Sequence, residues 1–238
     1  MKLGRFYGIG VGPGDPELLT VKALHRLQAV DVICYPACRP GAGSYALRIV
    51  QGLIGERAEL KGLLFPMERE MERLVPIWKE SVAAIYDDLS AGREVAFITE
   101  GDPFFYSTFV YLYDLMRRLH PDVRMEVIPG ISSVMAASVR AGVPLAMADE
   151  RMAVLPATYE DDYLEEALDR FDTVVFIKVS SVLPKLIALL ERMKLIDRAV
   201  MVERCGSAEE RLVYDLSTLR EARLNYLSLV IVRKGERR

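Results

Sequence analysis

Cysteine is scarce in this chain. Its three residues, Cys34, Cys38 and Cys205, cannot all pair with one another, which argues against a secreted disulfide framework. Cys34 and Cys38 also lack a second pair at zinc-site spacing. Histidine is scarcer still. His25 and His120 fall in expected helices away from any ligand-like cluster, so no metal site is expected, and no Ser-His-Asp triad can be argued from spacing. An excess of basic charge is missing too. The formal net charge is −3, whereas a non-specific nucleic-acid binder must neutralise phosphates, so no nucleic-acid partner is expected. No apolar run is long enough to span a bilayer, and residues 1–7 lack the apolar stretch of a secretory signal. The expectation is a cytoplasmic protein with no membrane partner.

What is present is core material. Hydrophobic residues make up 51% and charged residues 27% of 238, enough to bury a core and stay soluble, as one large domain or two modest ones. Apolar runs at 5–11, 31–35, 60–65, 94–99 and 124–128 read as strands, with Pro36 and Pro66 expected to stop two of them. Helical periodicity lies between them at 16–30, 44–53 (Ser44 as N-cap), 70–89 and 107–119. Such alternation predicts a mainly parallel sheet. A further helix is expected at 132–141. Strands are then expected at 152–155, 173–177, 199–202, 211–214 and 227–232, the last three close together with only one short helical stretch, 217–222, between the final two. Parallel neighbours need long crossovers, so the closely spaced last strands predict antiparallel pairing. The expected class is therefore α/β, as two α/β domains: a mostly parallel N-terminal sheet over 1–122 and a mixed C-terminal sheet over 123–238. Arg117, Arg118 and the basic segment 233–238 read as solvated charge.

Three glycine-containing segments stand out. Gly8-Ile9-Gly10-Val11-Gly12-Pro13-Gly14-Asp15 follows a strand and precedes a helix, but its spacing is not that of a dinucleotide fingerprint, and Pro13 removes a backbone donor. It is either a phosphate cradle or a tight turn whose Asp15 caps the next helix. Thr99-Glu100-Gly101-Asp102-Pro103-Phe104-Phe105-Tyr106-Ser107 lies at the carboxyl end of a buried strand, where open α/β sheets place ligands. The alternative is a strand-to-helix turn whose aromatics fill core. Pro129-Gly130-Ile131-Ser132-Ser133 runs into a helix start, which either holds a ligand or is simply capped.

Taken in order, these segments resemble the signatures of the tetrapyrrole (corrin/porphyrin) methyltransferases. The stretch 8–20 resembles their GxGxGDPxLLT opening, 101–103 their GDP, 129–133 their PGxSS and 142–145 their GxPL. The stretches 100–116, 152–159 and 174–179 resemble the branch acting at C20 of precorrin-2 or cobalt-factor II in cobalamin biosynthesis. The resemblance implies S-adenosylmethionine as methyl donor, with S-adenosylhomocysteine as product. It also implies a cofactor cleft between the two domains, a tetrapyrrole substrate facing the N-terminal domain, and a homodimer. It places cofactor contacts at Gly101, Asp102, Tyr106, Ser132, Ser133, Ala157, Lys178, Cys205 and Ser228, and turns the opening loop (Gly12, Pro13, Gly14, Asp15) toward the substrate. In-line methyl transfer asks the protein mainly for positioning and desolvation, plus one weak base for the departing proton. Asp102, Lys178 and Tyr226 are the catalytic candidates. Arg39, Arg151 and Arg204 are candidate partners for substrate carboxylates. Methylation at another ring position and a non-catalytic nucleotide-binding module are the competing readings.

Overall fold

A computed structural model describes residues 2–39, 41–66 and 70–235. The chain divides into two compact units, 1–132 and 133–238. The first contains β1 (Arg5–Gly10), α1 (Val21–Leu27), β2 (Val32–Ala37), α2 (Tyr45–Val50), β3 (Glu59–Leu64), α3 (Met71–Ser90), β4 (Val95–Thr99), α4 (Phe109–Leu119) and β5 (Arg124–Ile128). Its strands form one all-parallel sheet in the order β3-β2-β4-β1-β5. Side chains alternate across a strand, so β1 sends Tyr7 and Ile9 to one face, joined by Val11 just beyond its end, and Phe6 to the other. The first face packs under Ala23 and Leu27 of α1 and Ala46, Ile49 and Val50 of α2. The second packs under Trp78, Val82 and Ile85 of α3 and Phe109 and Leu112 of α4.

The second unit contains α5 (Ser133–Ala141), β6 (Met152–Pro156), α6 (Asp161–Arg170), β7 (Thr173–Ile177), α7 (Leu183–Arg192), β8 (Ala199–Glu203), β9 (Arg211–Val213) and β10 (Ser228–Arg233). Its sheet runs β6-β7-β10-β8-β9, with only β6 and β7 parallel. The expected antiparallel pairing of the late strands is therefore present. Leu164 and Leu168 of α6 and Leu186, Ile187 and Leu190 of α7 pack with Phe176, Met201 and Val230 in one core. Among the described residues no helix is long and apolar enough to cross a membrane.

Several local expectations need correction. The boundary falls at 132/133 and not at 122/123, because β5 pairs with β1 along Arg5–Ile9 and completes the first sheet. Strand β2 continues through Pro36 to Ala37. Beyond Cys34 it pairs only with β3, so the missing N–H of Pro36 leaves no β4 ladder bond broken. The helix expected over 16–30 is a 3-10 turn, Pro16–Leu18, followed by α1. Asp15 caps the turn and Thr20 caps the helix, each side chain accepting a backbone N–H. The stretch 217–222 is likewise a 3-10 turn, Leu216–Leu219, capped by Asp215. Ser44 does precede α2, but its buried hydroxyl makes no capping bond. Arg233 is not solvated: it is 7% exposed, donates to the Pro144 carbonyl at 2.6 Å and pairs with Glu150 at 2.8 Å. Lys234 is partly buried and donates to the Asp169 carbonyl at 2.9 Å, and 236–238 lie outside the described residues.

Candidate functional site

In the first unit β1, β4 and β5 end side by side, with Ile9 opposite both Ile98 and Ile128. The three glycine-containing segments thus emerge from one edge of the sheet. Gly12 and Gly101 exchange backbone hydrogen bonds, at 2.8 Å (Gly101 N–H to Gly12 O) and 3.3 Å. Both take a left-handed backbone, φ +78° and +63°. A Cβ on Gly10 would stand 2.5 Å from the Gly101 carbonyl oxygen and 2.6 Å from the Gly130 nitrogen. A Cβ on Gly8 would enter the Phe109 ring at 2.1 Å. Packing between loops therefore accounts for the opening glycines, which removes the reason to read them as a phosphate cradle. Asp15 takes its expected capping role.

Asp102 joins two of the loops. Its Oδ1 accepts the Phe104 N–H at 2.9 Å and its Oδ2 accepts the Gly130 N–H at 3.1 Å. The aromatics that follow do not simply fill core. Phe104 makes edge contact with Tyr113, yet Phe104, Phe105 and Tyr106 remain 53%, 38% and 49% exposed. Tyr106 is also held at φ +54°, a strained backbone of the kind that collects at ligand sites. Ser107 accepts the Phe109 N–H and bonds the Thr99 hydroxyl at 2.9 Å, fixing the entry to α4. Ser132 closes the first unit and Ser133 opens α5, both partly buried.

One acid of the 99–107 segment draws no role of its own from the sequence. Glu100 directly follows β4, partly buried, and burial pushes its carboxyl above the usual carboxylate value, with Arg48 of α2 pulling the other way. Arg48 lies over the Tyr45 ring, and the Tyr45 hydroxyl donates to the Pro13 carbonyl at 3.3 Å, tying α2 to the opening loop. The available signal was an acid placed immediately after five apolar or hydroxyl-bearing strand residues, where an exposed turn is the first assumption.

The second unit gathers its expected residues in the same manner. Register sets Pro156 beside Ile177, Ile177 beside Leu229, and Glu203 beside Ser228. Ala157, Lys178, Cys205 and Ser228 therefore share one end of the sheet. Ala157 is fully buried and donates its N–H to the Ile177 carbonyl at 2.8 Å. Lys178 is exposed and left-handed (φ +57°), as are Arg204 (φ +50°) and Gly206 (φ +77°) beyond β8. Ser228 is buried, with its hydroxyl donating to the Asn225 carbonyl at 2.7 Å. Burial, helped by the nearby Glu210 charge, pushes the Cys205 thiol up to about 12, so it stays a thiol at neutral pH. Tyr226 is 54% exposed beside this edge. Arg204 pairs with Glu209 at a pocket also lined by Glu203, Arg223, Leu224 and Asn225. Arg39 is exposed after β2 in the first unit, while in the second Arg151 precedes β6 with its N–H on Asp172 and Arg204 follows β8, at opposite ends of the sheet. No group of three or more His, Cys, Asp or Glu suited to a metal ion occurs among the described residues.

Each of the two α/β units carries strained backbone and candidate ligand residues at the carboxyl edge of its own sheet, where open α/β sheets place ligands. The family model of the tetrapyrrole (corrin/porphyrin) methylases matches residues 5–222, and the chain belongs to that family. It is 33% identical to the cobalt-precorrin-2 C(20)-methyltransferase of Salmonella typhimurium, over 97% of each chain. It is 34% identical to the precorrin-2 C(20)-methyltransferase of a Sinorhizobium species, over 97% of this chain and 95% of the other. The crystal structure of a Thermus thermophilus uroporphyrin-III C-methyltransferase with S-adenosylhomocysteine has a TM-score of 0.65 at 23% identity, covering 97% of this chain and 98% of that one.

Proposed function

We propose that this chain transfers a methyl group from S-adenosylmethionine to C20 of precorrin-2, or of its cobalt-containing counterpart cobalt-factor II, in cobalamin biosynthesis. The observation that carries this reading is likeness along the whole chain to enzymes named for that reaction, one with cobalt in its substrate's name and one without. The donor's chemistry suits the residues present. The polar side chains in the proposed contact set are mostly small and uncharged, with hydroxyls at Ser132, Ser133 and Tyr106 alongside Asp102 and Lys178. Such a set suits a nucleoside with a zwitterionic tail, to which hydroxyls and backbone groups can both donate and accept. When bound, the donor supplies an electrophilic methyl on a cationic sulfur.

In this reading Gly101, Asp102, Tyr106, Ser132 and Ser133 contact the cofactor, together with Ala157, Lys178, Cys205 and Ser228. Ala157, Cys205 and Ser228 have buried side chains, so their share is mainly backbone. Asp102 acts by holding two loops in register. Lys178 draws a carboxylate by charge, and Tyr226 offers a hydroxyl to the ring. Gly12, Pro13, Gly14 and Asp15 face the tetrapyrrole, a role supported by the Tyr45 bond that fixes Pro13. The first unit serves mainly the macrocycle and the second mainly the cofactor. A homodimer working in the cytoplasm completes the proposal.

The test is anoxic incubation with donor and either metal-free or cobalt-loaded substrate. Mass spectrometry is expected to find a product one methyl heavier, and NMR to place that methyl at C20. Turnover with neither substrate, or a methyl at another carbon, overturns the reading.

A further inference from the structure

We propose that Glu100 is the proton acceptor of the transfer step. This role rests on the function proposed above and adds to it the base that the chemistry requires. Balance fixes what the base must do. A bond forms between the methyl carbon and the ring carbon, and the sulfur–methyl bond breaks with its electron pair left on sulfur. The ring carbon then loses its hydrogen. The C–H pair returns to the conjugated ring, and the proton passes to a carboxylate and later to water.

Geometry favours Glu100 over its neighbour Asp102. Both lie at the carboxyl edge of the first sheet, beyond β4, which sits between β2 and β1. Asp102 has an N–H on each oxygen and spans two loops. The Glu100 carboxylate receives a hydrogen bond only from its own backbone among the described residues, and no other side chain donates to it. It adjoins Gly101, which is bonded to Gly12 of the opening loop, so it stands where that loop meets the strand end. Arg48, from α2, is the charged side chain whose field reaches it, and α2 is anchored to the same loop through Tyr45. Partial burial raises its proton affinity above that of an ordinary glutamate, the direction a base working near neutral pH needs. A partly desolvated carboxylate with no side-chain donor costs stability, and groups perturbed by burial in this way cluster at functional sites.

The experiment uses the full chain and the variants Glu100→Gln and Glu100→Asp, with thermal melting to check folding. In the ligand-free protein, NMR of carbon-13-labelled glutamate is expected to show one carboxyl titrating above the rest, absent from Glu100→Gln. Calorimetry with S-adenosylhomocysteine is expected to give the same affinity within about twofold for all three proteins. Turnover of Glu100→Gln should fall about a hundredfold with KM little changed. The acidic limb of the kcat–pH profile should vanish in that variant, and Glu100→Asp should recover part of the rate. An active wild type beside a Glu100→Gln variant with the same rate and acid limb overturns the role alone. So does a wild type with no raised carboxyl. A wild type that methylates neither substrate overturns the role and the proposed function together. Should Glu100→Gln not fold, Glu100→Asp and the wild-type titration decide.

Discussion

The two units build their carboxyl edges from opposite materials. In the first, glycines stand where three parallel strands end: Gly10 and Gly130 come against each other and the Gly101 carbonyl more closely than a Cβ would permit. In the second, residues that bear side chains are bent into left-handed backbone at Lys178 and Arg204, and ion pairs tie the surroundings. Two acids report the same contrast. Glu100, beside the bare backbone, has its carboxyl raised by burial against a weaker pull from Arg48. For Glu210 burial also opposes the charge, but the Arg140 guanidinium at 2.7 Å and the Gly206 N–H outweigh it and hold the carboxyl below its usual range. Beside close-packed loops Glu100 has no side-chain donor among the described residues, whereas Glu210 is held by a guanidinium and a backbone N–H.

Substitutions can break this comparison. The largest effect is expected for Gly10→Ala, whose new methyl would meet two backbone atoms within 2.6 Å. Backbone cannot move aside as a side-chain tip can, so a loss of about 3 kcal/mol or more in urea unfolding is expected. A variant unfolding like wild type would show that the loops can spread. Next is Asp102→Ala, which leaves the Phe104 and Gly130 N–H groups without their acceptor. It should cost about 1–3 kcal/mol and cut turnover about tenfold or more while the protein still melts cooperatively. Unchanged turnover would detach the loop staple from the site.

Acid titration then sharpens the contrast, because the two acids have opposite signs. The Glu100 carboxyl is raised on folding, so its stability is fully present below the unfolded value near 4.5 and is lost as pH rises through the folded value. Glu100→Gln should therefore be more stable than wild type at neutral pH, with the difference closing on acidification. The Glu210 carboxyl is lowered on folding, so its stability is present above 4.5 and lost as pH falls through the folded value. Glu210→Gln should be less stable at neutral pH, with that difference also closing in acid. Melting temperatures across pH 3–7 would read both; the same sign for the two variants would erase the comparison. The smallest effect is expected at Lys178. Replacement by Gly relieves a left-handed backbone and should change stability by less than about 1 kcal/mol, whereas Lys178→Val should destabilise by about 1–2 kcal/mol. Equal stabilities for Gly and Val would mean that this edge bears no strain.

Much of this was legible along the chain. Strand and helix periods placed all ten strands to within a few residues, because alternation and amphipathic spacing are local properties. The close spacing of the last strands foretold the mixed second sheet. Turn chemistry was read less well: Thr20 and Asp215 cut expected helical stretches into shorter pieces through side-chain bonds that composition does not reveal. The fate of Pro36 and of β5 depended on which strand lay alongside. A proline is tolerated where a neighbour has ended, and a strand belongs to whichever sheet it pairs with. Arg233 reads as a charged tail residue until Glu150 and the Pro144 carbonyl, far away in sequence, come to meet it.

The order of residues, taken alone, determined the strands, the α/β alternation of the first unit and the three segments that identify the family, since each depends on groups a few positions apart, while the helices α6 and α7 were not expected from it. Only the folded chain decided why those segments are rich in glycine, that Asp102 binds Gly130 across 28 residues, and that among the described residues Glu100 has no donor but its own backbone. Close approach, desolvation and the field of a neighbouring charge act between atoms that the chain brings together from distant positions, and no local pattern encodes them.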